Sequence, residues 1–230
     1  MIINASHQKG GTGKSTIIWN LARAFILLGY KVKLLDLDIQ GSCISINNKR
    51  EVPLDYIITI TEEKDLIDIV NNAKDDEIIL IDSGGFDSTL TRLAIMGADI
   101  NITPVPDKVT ALLAVIEKYS VILEEIAEST GEEIKTFVLL NEIHIFATNF
   151  EHIIADIEDE KRMELLTIRK EENGKEITKP LLIRERGIYD KSLIEGKTVQ
   201  ESIDRKGHEE ASKEMEVLAK KLIEIYETEK

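Results

Sequence analysis

Residues 8–16 of this chain have the sequence Gln8-Lys9-Gly10-Gly11-Thr12-Gly13-Lys14-Ser15-Thr16. They lie between a short apolar segment, residues 1–6, and a helical pattern that begins near Ser15. Glycines in such a turn allow the backbone to fold tightly and to point several N–H groups at one anion, and the positive end of the helix dipole adds to that field. The stretch therefore predicts a phosphate-binding loop between the first strand and the first helix.

Two side chains of this loop have direct roles in the expected chemistry. Lys14 is placed to reach the β- and γ-phosphates of a nucleotide, and the hydroxyl of Ser15 is placed to ligate Mg²⁺. The usual pattern, G-x-x-x-x-G-K-[ST], begins with glycine, whereas Gln8 occupies that position here. A second lysine, Lys9, follows it. Lys9 lies too early to reach the γ-phosphate of its own chain, so it is free to neutralise charge across a dimer.

Three aspartates lie at the ends of predicted neighbouring strands. Asp36 and Asp38 lie at the end of the strand predicted at residues 31–37, Asp38 directly after it. Asp82 ends the strand predicted at residues 77–82, after four apolar residues. In a parallel sheet, such carboxylates face the ligand crevice. We interpret Asp82 as the Walker B carboxylate that acts on Mg²⁺, and Asp38 as the group that positions the attacking water. Because no glutamate follows Asp82, the adjacent general base of fast motor ATPases is missing and slow turnover is expected.

Apolar runs alternate with helical patterns along the chain. Strands are predicted at residues 1–6, 31–37, 56–60, 77–82, 100–104, 136–140 and 181–184, and helices at 15–28, 61–73, 88–96, 108–129, 149–163 and 209–226. This alternation predicts an α/β fold, doubly wound, with a mostly parallel sheet covered by helices on both faces. No Gly/Ser/Pro linker divides the chain, so residues 1–230 are expected to form a single domain.

Residues 164–180 allow two interpretations. Asn173-Gly174 is a strong signal for a two-residue hairpin turn, and polar, β-forming stretches flank it. The alternative is that the segment contains the frayed end of the preceding helix followed by a polar loop.

Composition restricts the class of protein. The sequence contains no run of about 18 apolar residues, so no transmembrane helix is expected. The N-terminus has no signal-peptide pattern. The single cysteine, Cys43, excludes intrachain disulfides and sites built from several thiolates of one chain. A cytoplasmic location is expected.

The net charge of −14 is unevenly distributed. Residues 51–159 contain 6 Lys/Arg and 24 Asp/Glu, whereas residues 160–230 contain 16 and 17. An acidic chain does not attract DNA as a whole body. Any contact with nucleic acid must therefore come from a local basic face, which is expected in the last third of the chain.

These motifs resemble the ParA/MinD family of deviant Walker A P-loop ATPases. The resemblance rests on KGGTGKST at residues 9–16, LLDLDIQGS at 34–42 and IILIDSGG at 78–85, and more weakly on ADINITPVP at 98–106, FVLLNE at 137–142 and IRERGIYDKSLIEGKTV at 183–199. The landmarks follow the family's order over nearly the whole chain. The last of them is more similar to plasmid or chromosome partition ATPases than to cell-division site regulators. The chain departs from the family pattern at three places. Ile39 stands where proline is usual, and Ser83-Gly84-Gly85 follows Asp82 where a sequence that contains proline is commoner. Residues 164–180 do not match the pattern well.

The resemblance implies ATP or ADP with Mg²⁺ as ligands and slow ATP hydrolysis as the activity. The catalytic residues would be Lys9, Lys14, Asp38 and Asp82, with Lys9 reaching the phosphates of the partner in a homodimer. The metal-binding residues would be Ser15, Asp38 and Asp82. The nucleotide-binding residues would be Lys9, Gly10, Gly11, Thr12, Gly13, Lys14, Ser15 and Thr16, together with Asn141, which matches the family's adenine-contacting asparagine.

A partition ATPase is the first functional hypothesis that the resemblance implies. Its ATP-bound homodimer would bind nonspecific DNA on the nucleoid, and an adaptor protein of the ParB type would stimulate hydrolysis. The expected DNA phosphate contacts are Arg184, Arg186, Lys191, Lys197, Arg205 and Lys206.

Three alternatives use the same scaffold. A MinD-like regulator that cycles on a membrane or a protein partner needs a basic amphipathic C-terminal helix with bulky apolar residues, but residues 220–230 contain no Trp or Phe, so no membrane partner is expected. A small-molecule kinase or ligase is disfavoured by Lys9. A reductase or cluster carrier with a bridging cluster needs two cysteines per subunit, and only Cys43 is present.

Overall fold

A computed structural model describes residues 1–147, 150–172 and 174–229 of the chain. Its strands are β1 (Ile2–Ala5), β2 (Lys31–Asp36), β3 (Ile57–Thr59), β4 (Glu77–Asp82), β5 (Ile100–Pro106), β6 (Thr136–Ile143), β7 (Met163–Leu165), β8 (Thr167–Glu172), β9 (Lys175–Pro180) and β10 (Leu182–Arg184). Its α-helices are α1 (Lys14–Leu27), α2 (Ser42–Asn47), α3 (Glu63–Asn71), α4 (Thr89–Gly97), α5 (Val109–Ala114), α6 (Ser120–Thr130), α7 (Glu151–Glu158), α8 (Gly187–Ile194) and α9 (His208–Glu229). A π-helical turn, Val115–Tyr119, joins α5 to α6, and a 3₁₀-helix, Val199–Glu201, precedes α9.

The main sheet is parallel throughout its described pairings. Its strand order is β10-β6-β5-β1-β4-β2-β3, with β7 beside β10 on the outer edge of β6. A parallel sheet needs crossover connections that return over its faces, and these crossovers carry most of the helices. The predicted doubly wound α/β fold is confirmed.

Helices cover both faces of the sheet, and β4 shows how. Ile78 and Leu80 pack in the apolar cluster that contains α1 and α9, whereas Ile79 and Ile81 pack in the cluster on the α3 and α4 side. All six residues of β4 are buried. The continuous apolar run of this strand therefore follows from burial on both sides, as expected for a central parallel strand.

Most predicted elements differ from the structure by a few residues at their ends, and two predicted helices differ more. The helix predicted at residues 149–163 ends at Glu158, because Met163 begins a strand that pairs with Thr136 of β6 and is itself buried. Residue 149, where that helix was predicted to begin, lies outside the described residues. The prediction for residues 108–129 gives one helix, which in the structure contains the π-helical turn around the buried Tyr119.

The hairpin interpretation of residues 164–180 is confirmed. Strands β8 and β9 pair antiparallel from Thr167 with Pro180 to Glu172 with Lys175. Gly174 has a φ of 75°, the left-handed conformation that glycine adopts without strain. Asn173, the other turn residue, lies outside the described residues.

Candidate functional site

The predicted phosphate loop connects β1 to α1, and its backbone requires glycine at one position. Gly13 precedes α1 with a φ of 90°, and a Cβ atom there would lie 2.2 Å from Nδ2 of Asn141. That amide donates a hydrogen bond of 2.9 Å to the carbonyl oxygen of Thr12. The end of β6 therefore supports the loop directly, while the predicted contact of Asn141 with adenine stays a prediction.

The two lysines of the loop lie in different environments. Lys14 is 7% exposed; burial lowers the pKa of its ammonium group, while the nearby Asp82 and Asp38 carboxylates raise it. Lys9 instead extends away from the loop, where its Nζ donates a hydrogen bond of 2.7 Å to Oγ1 of Thr110 on α5. Lys14 thus belongs to the phosphate site of its own chain, and Lys9 is directed outside it.

The three aspartates differ in their contacts. Asp36 pairs in register with Asp82 on β4, and both are fully buried. The Asp36 carboxylate accepts hydrogen bonds from the backbone N–H groups of Asp38 at 3.1 Å and Ile44 at 3.0 Å. Asp36 therefore holds the segment after β2 in place. Asp38 is half-buried and Asp82 is buried, and both carboxylates act electrostatically on the ammonium of Lys14, so these two remain the candidates for a role at the nucleotide.

Asp82 has an unusual environment for a carboxylate. Burial raises its pKa to about 7, although hydrogen bonding to Ser15 and the charge of Lys14 act in the opposite direction. Its Oδ2 accepts a hydrogen bond from the Sγ of Cys43 at 3.3 Å. Its Oδ1 is buried and has no described partner. A buried, unpaired carboxylate oxygen costs stability, so Oδ1 is a candidate acceptor for a water molecule or a bound ligand.

The residues present fit a magnesium ion that is shared with a nucleotide. Ser15 lies in the first turn of α1 beside Asp82, and the unpaired Oδ1 of Asp82 can accept a hydrogen bond from a water molecule bound to the ion. Among the described residues, no group of three or more His, Cys, Asp or Glu side chains forms a protein-only metal site. Mg²⁺ usually takes phosphate oxygens, water molecules and one or two protein ligands.

The segment after Asp82 passes directly over the phosphate loop. A Cβ atom on Gly85 would lie 3.1 Å from the backbone nitrogen of Gly10, so the Ser-Gly-Gly follow-on permits a close backbone approach. Sequence reasoning noted this departure from the family pattern without assigning it a role. Cys43 and the left-handed Glu142, with a φ of 52° beside Asn141, also went unassigned. No local sequence pattern indicates where the Ser83-Gly84-Gly85 segment, Cys43 or Glu142 lies relative to the site.

His7 supports the loop from within the protein. Its ring is fully buried, and Nδ1 accepts a hydrogen bond of 2.9 Å from the backbone nitrogen of Lys9. Burial lowers the pKa of His7 to about 4, and the charges of Lys14 and Lys9 act in the same direction. The imidazole is therefore neutral near pH 7 and orders the loop without adding charge.

The six residues predicted to contact DNA do not form one free basic face. Arg184 donates to the carbonyl oxygens of His144 and Ala147 at 2.8 and 3.0 Å, and Arg186 pairs with Glu214 at 2.9 Å. Lys197 and Arg205 both pair with Glu195. Lys191 and Lys206 are exposed and have no ion-pair partner in the part of the chain that the structure describes.

Large apolar side chains are exposed around the mouth of the site. They follow the C-terminal ends of β2, β4, β5 and β6, and they are Ile39, Phe86, Leu113, Ile145 and Phe146. Ile39 is 86% exposed and Phe146 is 79% exposed. This exposed apolar rim is a candidate surface for contact with another molecule.

Comparison with known proteins identifies relatives over most of the chain. Residues 3–199 match the family model of the CobQ/CobB/MinD/ParA nucleotide binding domain. The sporulation initiation inhibitor protein Soj of Bacillus subtilis is 26% identical over 136 residues, which are 56% of this chain and 51% of Soj. The match thus spans about half the length of this curated relative.

Solved structures share the fold over almost the whole chain. The MinD cell division protein of Aquifex aeolicus has a TM-score of 0.66 at 17% identity and 96% coverage of both chains. MinD of Pyrococcus horikoshii, complexed with Mg-ADP, has a TM-score of 0.65 at 16% identity and 98% coverage of both. A candidate plasmid partition protein of Borrelia burgdorferi bound to AMPPNP has a TM-score of 0.60 at 15% identity, covering 97% of this chain and 98% of its own.

Proposed function

The chain belongs to the CobQ/CobB/MinD/ParA nucleotide-binding family, and on that premise we propose that it is an ATP-dependent dimerising switch for partition of plasmid or chromosomal DNA. Its ATP-bound homodimer binds DNA without sequence preference and is associated with the nucleoid. An adaptor protein of the ParB type stimulates hydrolysis, which separates the dimer and releases the DNA.

The residues of the phosphate loop account for nucleotide binding. Backbone N–H groups of the loop receive the phosphates of ATP or ADP, and the buried ammonium of Lys14 lies beside them. Mg²⁺, when bound, supplies positive charge to the β- and γ-phosphate oxygens. Ser15 would ligate the ion, and the unpaired Oδ1 of Asp82 would accept a hydrogen bond from its water shell.

Asp38 accounts for slow hydrolysis. Its half-buried carboxylate lies at the edge of the crevice and accepts a hydrogen bond of 2.9 Å from the backbone nitrogen of Gln40. A carboxylate in that position can orient a water molecule toward the terminal phosphate. Because it is partly solvated and already bonded to Gln40, it is a poorly organised base, and such a base leaves much of the barrier in place.

The position of Lys9 is the observation that carries the dimerisation proposal. Its ammonium group is bound to Thr110 on α5 and not to any group of its own phosphate site. From this position it can reach a phosphate held by a second copy. The exposed apolar rim, which includes Ile39 and Phe146, surrounds the same mouth and would become buried between the two copies.

The exposed lysines of the last third support DNA binding. Lys191 and Lys206 are free in the described part of the chain, and Lys197 is only engaged in an exposed ion pair with Glu195. Phosphate contacts need exposed cations and carry no sequence information. Arg184 and Arg186 are held by neighbouring groups and would contribute less to a DNA surface than the sequence suggests.

The burial of the C-terminal helix, α9, favours DNA rather than a membrane as the partner. Its apolar stripe, which includes Met215, Leu218 and Leu222, is buried in the cluster formed with α1. A helix that lies in a membrane interface must instead present that stripe to lipid. No helix among the described residues is long and apolar enough to cross a membrane.

A mobility-shift titration on nonspecific duplex DNA at low salt tests this function. It compares the chain with ADP, with ATP, and with ATP after Lys9→Ala, and Lys74→Ala serves as a control on an exposed lysine outside the site. Light scattering of the same samples reports the dimer. We expect ATP to produce both the dimer and the DNA complex, and Lys9→Ala to abolish both.

Two results would reject parts of the proposal. If ATP forms a dimer that does not bind DNA, the switch remains and its output is a protein or membrane partner. If ATP binds without dimerisation, the switch itself is wrong and a monomeric kinase or ligase on this scaffold becomes the better explanation.

A further inference from the structure

A groove lies apart from the phosphate loop, between the β8–β9 hairpin, α7 and the first half of α9. Its volume is about 980 Å³, at the upper end of the range for pockets that enclose small ligands. The groove is partly open to solvent and has room for several side chains of a longer ligand. Its floor is apolar and consists of Phe150, Ile154, Ile168, Leu181 and Val217.

The hairpin forms one wall of this groove. Within the described residues, β8 and β9 pair only with each other, and an isolated two-stranded hairpin is marginally stable in water. Ile168 supports it by packing against the core cluster that contains α9, and Ile168 and Lys170 also line the groove. The segment that departs from the family pattern is therefore the one that creates this surface.

Cations exceed anions in the lining. Lys170 and Lys213 are exposed at the rim, and neither has a carboxylate partner among residues 1–147, 150–172 and 174–229. The guanidinium of Arg184 donates to two backbone carbonyl groups, and no carboxylate of the described side chains pairs with it.

The two carboxylates of the lining do not remove this excess. Glu214 is already engaged by Arg186 at 2.9 Å and by the hydroxyl of Tyr189 at 3.0 Å. Glu210 is exposed at the edge. In a chain with a net charge of −14, a positively charged groove with an apolar floor is a local exception to the prevailing charge.

We propose that this groove binds an acidic amphipathic segment of a partner protein. Its apolar side chains would cover Ile154, Ile168 and Val217, and its Asp or Glu side chains would lie against the exposed ammonium groups of Lys170 and Lys213. Burial of an apolar stripe supplies affinity, and complementary charge at the rim supplies orientation and a faster encounter.

The chemistry of the groove favours a peptide over DNA. Duplex DNA presents phosphates and sugars, which gain nothing from an apolar floor, and it needs cations that are free to approach the backbone. Here Arg186 is paired with Glu214, and Arg184 is bound to the chain segment after β6. An amphipathic peptide uses both the floor and the rim.

An unbiased peptide selection tests the proposal with the full chain. A library of random peptides of about 16 residues, roughly four helical turns, is selected on the wild-type chain without nucleotide. Enriched peptides are then labelled, and their binding is measured by fluorescence anisotropy. Methyl resonances of Ile154 and Ile168 report whether the peptide occupies the groove.

Two matched variants isolate the charge of the groove. Lys170→Glu with Lys213→Glu reverses two rim charges, and Lys74→Glu with Lys118→Glu makes the same change in net charge at exposed positions outside the groove. We expect the enriched peptides to be acidic and amphipathic, and to bind the groove variant at least about tenfold more weakly, which corresponds to about 1.4 kcal/mol. They should bind the control variant as tightly as wild type.

Each other outcome overturns the proposal. Enriched peptides that are basic, or that bind both variants equally, place the interaction elsewhere. If no peptide shifts the Ile154 and Ile168 methyl resonances while duplex DNA binds and loses affinity only with the groove variant, the occupant is nucleic acid. The selection is made without nucleotide and is repeated with the Lys14→Ala chain. Peptide binding to the groove is thereby measured independently of the nucleotide switch, so a failure of the groove is distinguishable from a failure of the proposed function.

Discussion

The thiol of Cys43 lies 3.3 Å from Oδ2 of Asp82, and both groups are fully buried. Burial raises the pKa of the thiol well above its usual range, and the Asp82 carboxylate acts in the same direction. Cys43 is therefore protonated and donates a hydrogen bond to the carboxylate. The contact joins α2, in the segment that follows Asp38, to the end of β4.

Replacement of Cys43 tests whether this contact tunes Asp82. Cys43→Ala removes a donor that favours the ionised carboxylate, so the pKa of Asp82 should rise further. We expect nucleotide affinity in the presence of Mg²⁺ to fall about fivefold near pH 7, since a hydrogen bond to a charged group is worth about 1 kcal/mol or more. The affinity should recover at higher pH. Cys43→Ser keeps a donor, and an equal loss in both variants would attribute the effect to packing.

Asp82→Asn should change how stability depends on pH in the absence of nucleotide. The pKa of Asp82 is about 7 in the folded chain, against an ordinary value of 3.8. Its contribution to stability is therefore fully present below 3.8 and is lost as the pH rises to about 7. Relative to wild type, the variant should gain stability over this range, by up to about 4 kcal/mol.

Urea unfolding at several pH values measures this difference. His7, whose pKa is lowered to about 4, contributes stability that is lost as the pH falls from 6.5 to about 4, which is the opposite sign. Comparison of the two chains at each pH cancels the effect of His7. A difference between them that stays constant from about pH 4 to about pH 7 would show that Asp82 is ionised throughout.

Gly13→Ala should disrupt the phosphate loop. The new Cβ would lie 2.2 Å from Nδ2 of Asn141, and the residue has a φ of 90°. Gly29→Ala is a matched control, because Gly29 has a φ of 94° with nothing within 4 Å. Both variants should lose about 1 kcal/mol of stability from backbone strain. Only Gly13→Ala should also lose more than about tenfold in nucleotide affinity, measured by calorimetry; equal affinities would show that Asn141 moves away at little cost.

Asp38→Asn should separate binding from hydrolysis. The amide keeps the size of the side chain but cannot hold a water molecule as a carboxylate does, so turnover should fall about 100-fold or more. Nucleotide affinity should change by less than about threefold, because Lys14 and the loop backbone are unaltered. Phosphate release and equilibrium binding measure the two effects. Asp190→Asn, at an exposed position on α8, is the control. Undiminished turnover would require a different group to position the water.

Glu201→Gln should weaken the attachment of the segment before α9. Glu201 forms a bidentate pair with Arg50 at 2.9 and 3.0 Å and accepts a hydrogen bond from the backbone nitrogen of Thr198. The pair is mostly buried, so loss of one charge should cost about 1 to 3 kcal/mol in the free energy of unfolding. Asp76→Asn breaks the exposed pair with Lys31 and should cost less than about 1 kcal/mol. Equal costs in chemical denaturation would contradict this ranking.

Local pattern was sufficient to predict most elements of the fold. The apolar run at residues 78–81 predicted β4, and Asn173-Gly174 indicated the hairpin. Both signals depend on neighbouring residues only. The end of α7 could not be predicted in the same way. Met163 continues the helical pattern of the sequence but lies in a strand that pairs with β6, and its partner Thr136 is distant in sequence.

The candidate site shows the same division. The glycines, Lys14 and Ser15 of the phosphate loop act through a local backbone shape, so residues 8–16 alone indicate phosphate binding. The hydrogen bond from Asn141 to Thr12 and the hydrogen bond from Cys43 to Asp82 join residues 129 and 39 positions apart. Spacing along the chain does not constrain such contacts. They exist because the parallel strand order brings the carboxyl ends of β6, β1, β4 and β2 to one edge, where burial then selects which polar groups must pair.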